Sequence, residues 1–114
     1  MNKETEQQTL REKVDAIKKQ IETGLDGEIT NVVDTTSKEF FGEENVKEDR
    51  SGIEVTILMS NDEELKQFFN TDIHPSGYQN SNLYKFDRKY GKLPEEGIKV
   101  HCKLNDDGFF KIDY

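Results

Sequence analysis

Ile98-Lys99-Val100-His101-Cys102-Lys103-Leu104-Asn105-Asp106-Asp107-Gly108-Phe109-Phe110-Lys111-Ile112-Asp113-Tyr114 is the stretch that decides the fold. Ile98, Val100, Cys102 and Leu104 alternate with Lys99, His101 and Lys103. Asn105-Asp106-Asp107-Gly108 then supplies turn chemistry, and Phe110, Ile112 and Tyr114 resume the alternation. Period-two patterning on both sides of a Gly-ended polar turn predicts a β-hairpin, hence an antiparallel sheet. Within it Cys102 shares the apolar face and reads as a buried thiol, since free Cys behaves as a small hydrophobe. His101 points the other way and reads as a surface residue.

Working back from the hairpin, Leu83-Tyr84-Lys85-Phe86-Asp87-Arg88 also alternates and predicts a strand, broken by Tyr90-Gly91-Lys92-Leu93-Pro94-Glu95-Glu96-Gly97. Residues 71–82 hold His74-Pro75-Ser76-Gly77 and Asn80-Ser81-Asn82, a long irregular connection of the kind that often carries function. Ser60-Asn61-Asp62-Glu63 looks like a helix cap with acids in the first turn, and Leu65, Phe68 and Phe69 follow it, so a short helix is expected there. Ile53, Val55, Ile57 and Met59 form the best central strand. Before them lies a charged loop with Glu43, Glu44, Glu48 and Asp49 against Lys47 and Arg50, which should join two antiparallel strands. Residues 37–44, with Phe40-Phe41-Gly42, suit either a helical turn or a continuing strand.

Residues 28–36 are rich in β-branched side chains but alternate imperfectly, which predicts a strand with a bulge. Upstream, Leu10, Val14, Ile17 and Ile21 fall at spacings of four, three and four, a single apolar stripe. Thr9-Leu10-Arg11-Glu12 fits a capping box at its start, and Gly24 is a natural stop. Residues 1–8 are expected to be a flexible N-terminal segment and 9–114 a single domain. The expected fold is α+β: an N-terminal amphipathic helix packed on a four- to five-stranded antiparallel sheet, with a short second helix.

Composition narrows the function. The chain has 114 residues, 16 Lys+Arg against 24 Asp+Glu, and a net charge of −8. That charge opposes phosphate backbones and anionic lipid, so direct nucleic-acid binding is not expected. No apolar run approaches the ~20 residues of a membrane span, so no membrane insertion is expected. A single cysteine excludes an internal disulfide and fits a cytoplasmic protein. Neither GxGxxG nor GxxxxGK[ST] occurs, so no nucleotide cofactor is expected. Asp72, His74 and His101 could meet around a metal only by an unusual arrangement, and no catalytic residue, metal or other cofactor is expected. No pattern demands a dimer.

What remains is binding. Acids steer a cationic partner and aromatics anchor it, so Glu43, Glu44, Glu48, Asp49, Asp72, His74, Tyr78, Tyr90, Glu95 and Glu96 are the candidate partner-binding residues. Tyr78 and Tyr90, in expected loops, are the anchors.

Residues 100–114 resemble the terminal hairpin of YezG-like immunity proteins, small acidic bacterial antitoxins in which an acidic turn ending in Gly precedes an F-x-I-D-Y-like strand. The resemblance implies a non-enzymatic inhibitor that covers the active site of a basic protein such as a nuclease toxin. The alternative reading is an extracytoplasmic module, the soluble part of a cell-surface lipoprotein with a cystatin-like or NTF2-like domain tethered through residues 2–8.

Overall fold

The computed structural model of the protein describes residues 3–114, with side chains described from residue 9 onward. Helix α1 (Lys3–Thr23) leads into β1 (Leu25–Thr36), then α2 (Ser37–Phe41), a 3-10 turn (Glu43–Asn45), β2 (Ser51–Met59) and β3 (Glu64–Asn70). A second 3-10 turn (Pro75–Asn80) precedes α3 (Asn82–Tyr90), and β4 (Lys99–Leu104) and β5 (Phe110–Ile112) complete the chain. The strands form one five-stranded antiparallel sheet in the order β3-β2-β1-β4-β5. The α+β class and the antiparallel sheet are as the sequence predicts.

The imperfect alternation of β1 has the expected cause. Its register against β2 shifts between Ile29 and Asn31, so one extra residue is accommodated there. The bulge resets the parity. Leu25 and Ile29 face the core before it, and Val32 joins the same core after it. The terminal hairpin also forms, with Cys102 opposite Ile112 and fully buried. Burial pushes the Cys102 thiol up to about 11, with nearby Asp26 adding to the effect.

Two elements differ from their sequence pattern. Residues 64–70 are a strand, because residues 60–63 turn the chain back: Met59 N donates to Glu63 O at 2.9 Å and Asp62 takes a left-handed φ of 67°. Leu65, Gln67 and Phe69 therefore face the core while Phe68 faces outward onto Phe40 and Phe41, at 5.6 and 5.5 Å between ring centres. Adjacent phenylalanines that imitate a helical face are here covered on opposite sides of one strand. Conversely, Leu83–Arg88 lies in a helix. Ser81 Oγ accepts from Tyr84 N at 3.2 Å, and Gly91 closes the helix with φ 75° while its N donates to Asp87 O. Leu83, Phe86 and Tyr90 then share one face, and Phe86 is fully buried against Phe69 and Tyr90.

The sheet curls until its outer strands approach each other. Gln67 spans the gap: its Oε1 accepts from Ile112 N at 3.1 Å and its Nε2 donates to Tyr114 Oη at 2.9 Å. A side-chain amide here does the work of a missing strand ladder, satisfying an edge that water would otherwise reach. Burial holds the Tyr114 hydroxyl above its ordinary range, partly offset by the Gln67 bond.

Helix α1 departs most from expectation. It begins at Lys3, so Thr9 lies within it rather than capping it, and residues 3–8 of the expected flexible segment are helical; residues 1 and 2 lie outside the described residues. It ends at Gly24 as predicted. Its stripe is not laid on the sheet: Leu10, Val14, Ile17 and Ile21 are 63, 39, 56 and 54% exposed. The sheet's inner face is instead covered by α3.

Candidate partner-binding surface

The acidic loop between β1 and β2 is a built structure rather than a slack connection. Thr36 Oγ1 caps α2 by accepting from Glu39 N at 3.3 Å. Buried Ser37 holds the far side of the loop: its Oγ donates to Glu48 O and accepts from Arg50 N, and its own N donates to Arg50 O. Asp49 Oδ1 accepts from Lys38 N at 3.1 Å, and Glu48 pairs with Arg50 at 2.8 Å. These two acids are thus engaged in the loop itself. Glu43 and Glu44, in the 3-10 turn, are exposed and form no ion pair among the described residues. Phe41 stands beside them, 47% exposed although its ring meets Phe40 and Phe68.

The connection from β3 to α3 leaves from the same end of the sheet, where Thr71 N donates to Ser51 O. Asp72 is exposed, its backbone N held by Asn70 Oδ1 at 2.9 Å. His74 Nδ1 accepts from Ser76 N and lies 2.7 Å from Ser76 Oγ, which makes this histidine the cap of the second 3-10 turn. Tyr78 in that turn is 39% exposed and packs edge-on to Tyr84 at 5.5 Å. One end of the sheet therefore carries Glu43, Glu44, Glu48, Asp49, Asp72, His74 and Tyr78.

The other three candidate residues lie elsewhere. Tyr90 ends α3 and is half-buried; its hydroxyl donates to Asp113 O at 2.6 Å and accepts from His101 N at 3.2 Å. It fastens the helix to β4 and the chain end, and burial keeps its hydroxyl protonated to higher pH than usual, with the His101 bond opposing. The expected loop anchor is a structural bridge. Glu95 and Glu96 are exposed, but Gly97 next to them is tied to Ile29 O, seven residues before the end of β1. At ~3.4 Å per residue that is roughly 24 Å from the Glu43 loop.

One pairing was not anticipated. Asp26 and His101 sit opposite each other on β1 and β4, with Oδ1 and Nδ1 3.0 Å apart, at the edge of a cleft of about 650 Å³ that Glu28, Lys99 and Tyr90 also line. The Nε2 edge of His101 abuts the position that a Cβ on Gly24 would occupy. With one nitrogen on Asp26 and the other facing Gly24, this imidazole sits beside the joint between α1 and the sheet. No sequence pattern could have paired these residues, because Asp26 lies 75 positions away.

Among the described residues no group of three or more His, Cys, Asp or Glu could hold a metal ion, and no helix is long and apolar enough to cross a membrane. Compared with known proteins, the chain matches no family model, no curated protein and no solved structure.

Proposed function

We propose that the protein is a small acidic binding module that captures a cationic protein through the end of its sheet, acting as an immunity- or antitoxin-type inhibitor of a basic toxin. One observation carries this reading: the partition of charge. Residues 1–23 hold five Lys+Arg and five Asp+Glu, whereas residues 24–114 hold 11 against 19, so the whole net charge of −8 belongs to the body. At its end Glu43 and Glu44 project with no ion-pair partner among the described residues beside exposed Phe41, and Asp72 and Tyr78 are both exposed on the connection from β3 to α3. Unpaired acids raise the encounter rate with a basic surface, and partly exposed aromatics on stitched loops give low-entropy anchors.

The test is capture on immobilised protein at low salt from a lysate of the source cells, elution by a salt gradient, and assay of eluted basic proteins for nuclease or other toxic activity. A basic protein eluting at moderate salt and inhibited at a one-to-one ratio is the expected result. Equal retention at high salt, or binding unchanged by Glu43→Lys with Glu44→Lys, would sink the electrostatic part.

A further inference from the structure

The exposed stripe of α1 is a surface separate from the acidic end. We infer that α1 is one strand of a coiled coil whose partner is an amphipathic helix with acidic residues flanking its apolar seam. The four-three-four spacing of Leu10, Val14, Ile17 and Ile21 places them at successive d, a, d and a positions. Such a stripe is narrower than the face a helix presents to a sheet, which adds apolar e or g positions. Here those flanks are Arg11 and Lys18 at e, Lys13 and Gln20 at g. All four apolar side chains are exposed.

The chain's own sheet cannot cover them. Only Gly24 separates α1 from β1. It holds φ 74°, its N donates to Gln20 O at 2.8 Å, and a Cβ there would overlap the Cys102 carbonyl. A one-residue joint this closely packed fixes the direction of the helix. A second copy is also a poor match. Two parallel α1 helices set Lys13 against Lys18 of the second copy along the apolar stripe itself, with the one matched pair, Glu6 and Arg11, at its start, and the antiparallel pair that overlaps all four apolar residues sets Arg11 against Lys18. The body of a second copy is acidic, but its exposed apolar residues, Val33, Phe41, Leu58, Tyr78, Leu93 and Phe109, are scattered over strands, loops, a 3-10 turn and the end of α2 and form no row with this spacing. Cationic flanks around an apolar seam select a helix with Glu or Asp at its own e and g positions.

The experiment uses the full chain and two synthetic three-heptad peptides with identical Leu and Ile seams, one with Glu and one with Lys at every e and g position. Binding is measured by fluorescence anisotropy at low salt. The Glu peptide should bind at least about tenfold tighter than the Lys peptide. Ile17→Glu should abolish binding while circular dichroism shows the body folded, and the triple variant Arg11→Glu, Lys13→Glu, Lys18→Glu should reverse the preference. Equal binding of both peptides, or of neither, overturns the inference. So does sedimentation of the wild type as a micromolar dimer that Ile17→Glu dissolves, or adsorption of α1 to phosphatidylglycerol vesicles in place of either peptide.

Discussion

Helices α1 and α3 carry apolar stripes of similar chemistry and opposite fate. The longer one, with Leu10, Val14, Ile17 and Ile21, stands clear of the sheet. The shorter one, only nine residues, puts Phe86 at zero exposure and closes the core with Leu83 and Tyr90. Length and number of apolar residues therefore do not decide which helix a sheet receives. Attachment does: α3 is reached through a long connection that lets it cross the inner face and is then fastened by Tyr90 and Lys89, whereas α1 joins β1 through one packed glycine.

The sharpest way to break this comparison is to truncate one residue in each stripe. Phe86→Ala should cost about 3–5 kcal/mol, the usual loss for a buried Phe, while Ile17→Ala should change stability of the isolated protein by less than about 0.5 kcal/mol. Urea unfolding of both variants checks it, and a comparable loss at Ile17 would mean that α1 packs on the body after all. Next is the joint. Gly24→Ala must place a Cβ in a left-handed conformation against the Cys102 carbonyl, so a loss of about 1–3 kcal/mol or more is expected in the same assay. A neutral result would show that the α1 direction is free to change.

Gln67→Leu tests whether the curled sheet that α3 covers depends on its amide bridge. It leaves the Ile112 N–H and the Tyr114 hydroxyl without their partner, and the expected loss is about 1–3 kcal/mol. Faster hydrogen exchange confined to β5 would be its local signature.

The smallest effect concerns the clamp between α3 and the chain end. Asp113 lies 3.0 Å from Lys89 on α3 and 3.3 Å from Lys103 on β4, and the hydrogen bond from Lys89, then that from Lys103, holds its carboxyl below the usual carboxylate range. A depressed folded-state value means that the carboxylate's contribution is fully present above the unfolded value of about 3.9, and is lost as pH falls through the lower folded one. Asp113→Asn should therefore flatten this part of the acid limb of a stability–pH curve. The change should stay below about 1 kcal/mol because the pair is partly solvated.

Much of the strand framework was legible because a period of two with Gly-ended turns has few other readings. The hairpin from Lys99 to Ile112, the bulged β1 and the buried Cys102 all followed from pattern. The two misread segments fail for a common reason: over seven to nine residues, apolar positions can satisfy both periods. Phe68-Phe69 resembled a helix face until each ring found cover on its own side of β3. Leu83-Tyr84-Lys85-Phe86 resembled a strand, although Ser81 and Gly91 stood at the positions of an N-cap and a C-terminal glycine, and those caps were the signal to weigh. The candidate surface was legible as residue types but not as a place. Tyr90 became a bridge because its hydroxyl found backbone groups of Asp113 and His101 that the linear order does not bring near, whereas His74 became a turn cap through Ser76 N, two residues on.

The sequence by itself determined the α+β class, the bulk of the sheet, the acidic balance and the existence of an apolar stripe on residues 10–21, since these depend on local periodicity and composition. Only the tertiary structure decided which helix the sheet would accept, that Gln67 would close the curl, and that Asp26 would hold His101. Those outcomes rest on contacts between residues tens of positions apart and on the geometry of a single glycine joint, and period and composition carry no record of either.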